Sequence, residues 1–175
     1  MFSNPSHNIE QFGLSHGQVI ADFGAGSGFY AMEAAKTVAP TGKVFAIDLN
    51  RDLLDRLKHE AQRLHIHNID IISGDLEKLG GTKVRDEGVD AVIASNIFFM
   101  LKDRASCVQE IKRVLKSNGR VLVIDWLGSF SGMGPHHASV FPKDEAIKFF
   151  KDAGFVFIKE ISAGSHHYGM IFRKA

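Results

Sequence analysis

Short, nearly continuous apolar runs alternate with longer amphipathic stretches from Val19 onward, and this alternation constrains the fold most strongly. Runs such as VIADF (19–23) and VDAVIAS (89–95) contain too few polar residues for strands with one face in water. The stretch 51–64, between two such runs, repeats leucine and alanine at helical spacing. Strands that are apolar on both faces are typical of a parallel sheet covered by helices on each side. The pattern therefore predicts a doubly wound α/β fold.

The same pattern gives approximate bounds for each element. Strands are predicted at 19–23, 43–49, 69–75, 89–95, 120–126, 155–161 and 167–173. Helices are predicted at 28–38, 51–64, 103–116 and 142–153, and Gly119 is expected just past the end of the third helix. Only about five residues separate the last two strands, too few for a parallel crossover, so these strands should pair antiparallel. The expected sheet has seven strands and is mostly parallel, with an antiparallel hairpin at its C-terminal end.

Length and charge limit the classes of protein to consider. A chain of 175 residues is most economically one domain, 1–175. Its 21 Lys and Arg nearly balance its 20 Asp and Glu, so the broad positive charge of a dedicated nucleic-acid-binding protein is absent. A local basic patch is not excluded by this balance. We therefore expect a small-molecule partner more than a nucleic acid.

Cysteine content and hydropathy indicate the compartment. Cys107 is the single cysteine, which excludes an internal disulfide framework and a multi-cysteine metal site and fits a reducing cytosol. The first residues have no basic segment followed by an apolar core, so no signal peptide is predicted. No apolar run approaches the ~20 residues needed to cross a bilayer. The expectation is a soluble cytoplasmic protein with no membrane span and no bound metal.

The turn after the first strand reads Asp22-Phe23-Gly24-Ala25-Gly26-Ser27-Gly28, and ligands bind at this place in doubly wound sheets. A dinucleotide-binding loop, G-x-G-x-x-G, would place its third glycine at position 29, which is Phe29. A phosphate-binding P-loop would end in Gly-Lys-Ser/Thr, and this loop has no lysine. Both phosphate-binding interpretations are therefore disfavoured, although the glycines still allow a ligand to approach the backbone closely.

The remaining pattern, acid-x-Gly-x-Gly-x-Gly, resembles the first motif of class I S-adenosylmethionine-dependent methyltransferases, which have a Rossmann-like fold. Asp48 ends the second strand, where that family binds both ribose hydroxyls with a carboxylate. Gly74-Asp75-Leu76 follows the third strand, where the family contacts adenine. The phrase EIKRVLKSNGRVLVIDW resembles the family's signature of a helix, a turn and strand five. The likeness extends from roughly Asn4 to the C-terminus, nearly one whole domain.

This resemblance implies S-adenosyl-L-methionine as the methyl donor and S-adenosyl-L-homocysteine as the product. It implies that either a backbone carbonyl of the glycine loop or Asp22 accepts a hydrogen bond from the ammonium group, and that Leu49 and Leu76 could pack on adenine. A carboxylate such as Asp48 suits a ribose diol because it can accept two hydroxyl hydrogen bonds, although Asp48 could also partly cap the helix that follows. The implied cofactor site comprises Asp22, Gly24, Ala25, Gly26, Gly28, Asp48, Leu49, Gly74, Asp75, Leu76 and Asn96.

Asn96, which follows the fourth strand, is the first candidate for contact with the methyl acceptor. Enzymes of this fold that methylate amino groups of DNA or RNA carry (Asn/Asp/Ser)-Pro-Pro-(Tyr/Phe) there, and the prolines are absent from Ser95-Asn96-Ile97-Phe98. That nucleic-acid interpretation is therefore disfavoured. The Asn96 amide is predicted either to orient the methyl donor or acceptor, or to cap the following turn.

The loop 128–141 is the second candidate for contact with the acceptor, because it is rich in glycine and contains His136 and His137. Glycine–proline segments in this place close over the acceptor in small-molecule members of the family. Histidine titrates near neutral pH, so either ring could accept a proton from a hydroxyl or an acidic carbon. The alternative is that both histidines simply face solvent.

The N-terminal segment 1–17 is predicted to be a lid or arm over the cofactor, with Phe2 or Phe12 as its apolar contact, or else to be disordered. The overall pattern most resembles the methyltransferases similar to ubiquinone/menaquinone C-methyltransferases and arsenite methyltransferases. The arsenite enzymes use several cysteines, so an arsenic acceptor is disfavoured. The quinone enzymes are longer, so the acceptor pocket is expected either to be shallow or to be completed by a second subunit in a homodimer.

The leading functional hypothesis is direct methyl transfer from S-adenosylmethionine to a small-molecule acceptor. One alternative is an RNA or protein methyltransferase, suggested by the basic residues Lys58, Arg63, Lys112, Arg113 and Lys116, which could equally form solvated helix faces. The other alternative is a cofactor-binding module without turnover.

Overall fold

Seven strands form one mixed sheet in a computed structural model of the protein, which describes residues 3–130 and 132–175. In chain order they are β1 Val19–Phe23, β2 Lys43–Asp48, β3 Ile69–Ser73, β4 Val89–Ser95, β5 Leu115–Trp126, β6 Phe155–Ile161 and β7 His167–Lys174. Their order across the sheet is β3-β2-β1-β4-β5-β7-β6. Strands β1 to β5 pair in parallel, whereas β7 pairs antiparallel with both β5 and β6. The predicted fold class is confirmed.

Helices cover both faces of the sheet, as the apolar strands require. They are α1 Pro5–Phe12, α2 Phe29–Val38, α3 Arg51–Arg63, α4 Arg104–Val114 and α5 Lys143–Asp152. Helices α1, α2 and α3 bury apolar side chains on one face of the sheet, and α4 and α5 do so on the other. Because β1 lies between β2 and β4, the chain changes direction across the sheet there, and the loops after these strands meet at one edge.

The helix α1 lies in the segment 1–17, which the sequence predicted to be either a lid or arm over the cofactor or disordered. Asn4 caps it by accepting a hydrogen bond from the His7 backbone N–H, and Pro5 occupies the first turn, where a missing N–H costs nothing. Phe12 is buried in the core, with the Arg120 guanidinium 5.1 Å from the centre of its ring. The predicted cofactor contact of Phe12 is therefore wrong, and Phe2 lies outside the described residues.

The transition from α4 to β5 comes earlier than the sequence predicted. The helix ends at Val114, and β5 begins at Leu115, which pairs with Val89 across a β-bulge. The left-handed position is Asn118, with φ +62°, whereas Gly119 does not have a positive φ. Leu115 pairs with β4 instead of continuing the helix, because this pairing buries the Leu115 side chain completely.

The connection from β3 to β4 has no helix and is held instead by the buried Glu110 of α4. The Glu110 carboxylate accepts hydrogen bonds from the backbone N–H groups of Gly80 and Thr82, from the Thr82 hydroxyl and from the Arg113 guanidinium. Burial by itself raises the pKa of Glu110, but the donors outweigh it and lower the pKa to about 2. A single charged side chain thus organises the loop that precedes β4.

Candidate functional site

Two adjoining cavities open where the loops after β1, β2, β3 and β4 meet. The first, called here the leucine-lined cavity, has a volume of about 460 Å³ and is lined by Gly24, Gly26, Asp48, Leu49, Asn50, Leu53, Asp75, Leu76, Glu77, Asn96, Ile97, Met100 and Leu101. The second, called here the Asp22 cavity, has a volume of about 330 Å³ and is lined by Ser3, Pro5, Asp22, Gly24, Ala25, Gly26, Ser27, Phe29, Tyr30, Ser95 and Asn96. Gly24, Gly26 and Asn96 line both cavities, so together these form one elongated site.

The glycine loop is tied to the end of β2, which fixes its backbone against the site. The backbone N–H groups of Gly24 and Ala25 both donate to the Ile47 carbonyl, at 2.9 and 3.0 Å. Gly24 has φ +75°, and a Cβ there would collide with Cγ2 of Ile97, which lines the leucine-lined cavity. Gly28 lines neither cavity, because it caps α2 and a Cβ there would collide with Leu57. The first glycine therefore opens space at the site, whereas the last serves helix packing.

Asp48 joins the glycine loop to the start of α3. Its Oδ2 accepts from the Gly26 backbone N–H at 2.9 Å, and its Oδ1 accepts from the Asn50 backbone N–H at 2.8 Å. The side chain that caps α3 is Asn50, which accepts from Asp52 and Leu53. Each carboxylate oxygen has further lone-pair capacity, so Asp48 can also accept hydrogen bonds from two neighbouring hydroxyls of a ligand in the leucine-lined cavity.

The residues after β3 form the far wall of the leucine-lined cavity. Asp75 is held by the Glu77 backbone N–H at 3.0 Å and by Lys78 at 3.1 Å, and these contacts keep the pKa of the Asp75 carboxyl below its usual range. Leu76 is buried, whereas Leu49 is 62% exposed at the mouth. The Asp75 carboxylate accepts hydrogen bonds, and Leu49 and Leu76 offer apolar surfaces in the same cavity. This combination suits a flat ring that carries an amino group. Gly74 does not line the cavity. Its role is in packing, since a Cβ there would lie 2.7 Å from the Gly81 carbonyl oxygen.

Asp22 places a buried carboxylate in the wall of the other cavity. It is only 2% exposed, and its Oδ2 has no hydrogen-bond partner within the described part of the chain. Burial raises the pKa of Asp22 to about 7, a backbone hydrogen bond from Ala31 opposes this rise, and the nearby Asp48 charge adds to it. A buried carboxylate with a free oxygen is stabilised by a ligand that brings a positive charge, such as an ammonium group.

Asp22 should make the free protein less stable as the pH rises. The pKa of Asp22 in the folded state, about 7, lies above its ordinary value of 3.8. The stability that the protonated carboxyl contributes is therefore fully present below pH 3.8 and is lost as the pH rises through 7. An asparagine at this position does not titrate. As the pH rises from 5 to 8, we therefore expect the free energy of unfolding of Asp22→Asn, relative to that of the wild-type protein, to increase by about 2–3 kcal/mol. Urea unfolding at several pH values measures this, with the exposed Asp52→Asn as control. A difference that does not change with pH would contradict it.

Asn96 lies where the two cavities join. Its φ is +57°, a left-handed conformation that asparagine tolerates better than most residues, and its backbone N–H donates to the Ile124 carbonyl at 2.8 Å. Its Oδ1 is buried and accepts no hydrogen bond from any described residue, and its Nδ2 lies 3.5 Å from the Ser95 hydroxyl. The side chain therefore does not cap the following turn, and its amide oxygen can accept a hydrogen bond from a ligand.

His136 and His137 lie away from both cavities, and both are exposed. The Nδ1 of His136 accepts from the Ala138 backbone N–H at 3.3 Å, at the start of a short 3₁₀ turn. The loop that carries them packs against Trp126, and Gly134 lies so close to the indole ring that a Cβ there would be 2.8 Å from it. The proton-accepting role of the two histidines stays a prediction.

Two further groups at or next to the site, Asp125 and the pair Ser3 and Tyr30, were not among the predicted site residues. Asp125, the penultimate residue of β5, is completely buried and accepts from the backbone N–H groups of Trp126 and Phe99, at 2.8 and 3.2 Å. Burial raises the pKa of Asp125 to about 6. Through the bond from Phe99, Asp125 holds the segment that follows Asn96. An acidic residue inside the apolar run VLVIDW is the sequence feature that could have indicated this role. The other group, Ser3 with Tyr30, lines the Asp22 cavity only because α1 crosses to α2.

The structure bears on several of the other expectations. Within the described ranges, no three His, Cys, Asp or Glu side chains form a group that could hold a metal ion, and none of the helices is both long and apolar enough to span a bilayer. Cys107 is completely buried, and burial raises the pKa of its thiol. The basic residues that suggested a macromolecular acceptor are largely engaged within the fold, in the contacts Arg63–Glu60, Lys112–Ala153, Arg113–Glu110 and Lys116–Asp90.

Comparison of the sequence with known proteins gives a consistent group of relatives. A family model described as "Methyltransferase domain" matches residues 14–162. An arsenite methyltransferase of Halobacterium salinarum is 26% identical over 112 residues, covering 64% of this chain and 28% of that protein. A ubiquinone/menaquinone biosynthesis C-methyltransferase of Hydrogenovibrio crunogenus is 31% identical over 124 residues, covering 69% and 46%. The chain thus spans less than half the length of these relatives.

Solved structures are similar over nearly the whole chain. A SAM-dependent methyltransferase from Aquifex aeolicus superposes with a TM-score of 0.90 at 25% identity, covering 99% of this chain and 91% of that one. The [4+2]-cyclase SpnF superposes with a TM-score of 0.77 at 16% identity, covering 92% and 76%. The second likeness concerns the fold alone, since a fold can carry more than one chemistry.

Proposed function

Because this chain belongs to the methyltransferase domain family, we propose that it is an S-adenosylmethionine-dependent methyltransferase that transfers a methyl group directly to a small-molecule acceptor. The observation that carries the proposal is the convergence of Asp48, Asp75, Asp22 and Asn96 on one elongated site. Each of these side chains ends or follows a strand of the parallel part of the sheet, at the edge where such folds bind ligands.

The residues around the two cavities fit the parts of S-adenosylmethionine. In the leucine-lined cavity, Asp48 would bind the ribose hydroxyls, and Asp75 would accept from the adenine amine while Leu49 and Leu76 pack on the ring. In the Asp22 cavity, the unpartnered carboxylate oxygen of Asp22 would accept from the ammonium group. When bound, the cofactor supplies a methyl group that its sulfonium already activates. The protein then has to align the acceptor and exclude water.

The acceptor belongs on the Asn96 side of the Asp22 cavity. Similar proteins carry names that refer to arsenite, to ubiquinone or menaquinone, and to malonyl-acyl carrier protein, so relatives of this domain serve acceptors of quite different chemistry. An arsenic acceptor is disfavoured here, because the single thiol, Cys107, is buried in the core. We propose an organic acceptor that the Asn96 amide orients.

Binding of the cofactor provides the direct test. We expect calorimetry to detect binding of S-adenosylhomocysteine and S-adenosylmethionine, and NAD to fail to compete. Incubation with methyl-labelled S-adenosylmethionine and a panel of quinols, phenols and carboxylic acids should then transfer label to at least one compound. Absence of cofactor binding would refute the proposal. Tight binding without transfer to any acceptor would favour a binding module without turnover.

Asn96→Ala should separate orientation of the reacting groups from cofactor binding. We expect turnover of a labelled acceptor to fall by about 10- to 100-fold, because loss of alignment costs rate, while S-adenosylhomocysteine affinity changes little. The double variant His136→Ala/His137→Ala should change turnover by only about twofold, because neither ring lines the site, and a pH–rate profile checks the role of the histidines. A larger loss in the histidine variant than in Asn96→Ala would reverse this assignment.

A further inference from the structure

Three polar side chains form a closed hydrogen-bonded triangle where α1 meets α2. The Asn8 Nδ2 donates to the Ser3 hydroxyl at 2.9 Å and to the Tyr30 hydroxyl at 2.8 Å, and the two hydroxyl oxygens lie 3.0 Å apart. Asn8 is only 1% exposed, whereas Ser3 and Tyr30 both line the Asp22 cavity. The triangle therefore has a buried base, Asn8, and two hydroxyl residues that line the site.

The hydrogen atoms of this triangle do not all find partners within it. Both hydrogens of the Asn8 amide are used, one for each hydroxyl. One hydroxyl donates to the other, which leaves the second hydroxyl with a hydrogen that no described residue accepts. If the Asn8 amide were rotated so that its oxygen faced the two hydroxyls, only the two hydroxyl hydrogens would be left to serve the three contacts. The orientation with Nδ2 toward the hydroxyls therefore forms one more hydrogen bond. One O–H donor is thus left without an acceptor among the described residues, and it belongs to a residue that lines the Asp22 cavity.

The charges around the Asp22 cavity indicate what this donor would meet. Asp22 is the charged side chain among the residues that line it, and no lysine, arginine or histidine is among those described lining residues. The amino-acid end of S-adenosylmethionine carries an ammonium and a carboxylate on the same carbon atom. If Asp22 takes the ammonium, the carboxylate must lie in the same cavity, where only neutral donors can bind it.

We propose that the Ser3 and Tyr30 hydroxyls, oriented by Asn8, donate a hydrogen bond to the carboxylate of S-adenosylmethionine. This inference rests on the proposed function. It makes α1 a part of the cofactor site, joined to it through Ser3 and Asn8. Neither the glycine motif nor the matched range 14–162 includes these two residues.

Three ligands that differ in one group each provide the test by calorimetry. S-adenosylhomocysteine has both charged groups, its decarboxylated form keeps only the ammonium, and 5′-methylthioadenosine has neither. We expect Ser3→Ala/Tyr30→Phe to weaken S-adenosylhomocysteine binding by about 10-fold or more, since a hydrogen bond to a charged group is lost. Binding of the other two ligands should change by less than about twofold. Tyr30→Phe alone should lose less, because the Ser3 hydroxyl keeps its hydrogen.

The controls separate recognition from structure. Ser6→Ala removes an exposed hydroxyl in the first turn of α1 that lines neither cavity, and it should leave all three affinities unchanged. An equal loss for all three ligands in the double variant would mean that the triangle only supports the fold, and unchanged S-adenosylhomocysteine binding would mean that the hydroxyls do not contact the carboxylate. Either result overturns the inference. If the wild-type protein binds none of the three ligands, the proposed function itself fails.

Discussion

Asp48→Ala is expected to weaken the binding of S-adenosylhomocysteine by about 100-fold or more. Hydrogen bonds to a charged group contribute ~1.5–3 kcal/mol each, and the variant would lose two of them to the ribose. It would also release the Gly26 backbone N–H, which donates to Asp48 at 2.9 Å and holds the glycine loop in place. Both effects act on binding, so isothermal titration calorimetry is the direct measurement.

Asp52→Ala is the matched control for this experiment. Asp52 is an exposed carboxylate in the first turn of α3 and lines neither cavity. Its removal should change the affinity by less than about twofold, because exposed charges contribute little. If the Asp48 and Asp52 variants bind S-adenosylhomocysteine equally well, the ribose assignment fails, and with it the proposed orientation of the cofactor.

Glu110→Ala should produce the largest loss of stability. Removal of one partner from a buried, hydrogen-bonded ion pair typically costs ~3–5 kcal/mol, because the other groups lose their compensation. Here those groups are the backbone N–H groups of Gly80 and Thr82 and the Arg113 guanidinium. For a domain of this size we expect Tm to fall by about 10 °C. Thermal unfolding followed by circular dichroism measures the change.

The chain contains a close match to this pair in an exposed position. Glu60 and Arg63 have the same residue types and the same spacing on α3, but both side chains face solvent. Glu60→Ala should therefore lower Tm far less than Glu110→Ala, because exposed ion pairs contribute little to stability. Because the Glu110 pKa is lowered to about 2, the difference between wild type and Glu110→Ala should persist at neutral pH and shrink as the pH falls toward 2. Equal losses in the two variants would contradict a special role of the buried pair.

Elements with local signals could be predicted from the sequence. The bounds of β4 and β6 in the structure, Val89–Ser95 and Phe155–Ile161, match the predicted ones, since each is a run rich in Val, Ile and Phe or Ala that follows a glycine. The helix α1 has a capping signal in Asn4-Pro5, but its 8 residues are too few to show a periodic pattern. The start of β5 at Leu115 depends on pairing with β4, which no local pattern encodes.

The same distinction holds within the site. Asp22, Asp48 and Asn96 could be predicted to lie together because each ends or follows a strand at one edge of a parallel sheet. Tyr30 and Ser3 could not, because their contact depends on how α1 crosses onto α2. The buried Glu110 likewise binds a loop distant in sequence. Position along a strand is local information, whereas contact between separate elements is not.

The acidic walls of the two cavities have a consequence for selectivity inside a cell. ATP contains the same adenine and ribose as S-adenosylmethionine but ends in a triphosphate. The described residues that line the cavities include Asp22, Asp48, Asp75 and Glu77 and no lysine, arginine or histidine. A triphosphate in the Asp22 cavity would face a carboxylate without any compensating cation, which is strongly unfavourable at low dielectric. If S-adenosylmethionine binds as proposed, this charge would disfavour ATP, even though ATP shares the adenine and ribose that the leucine-lined cavity would hold.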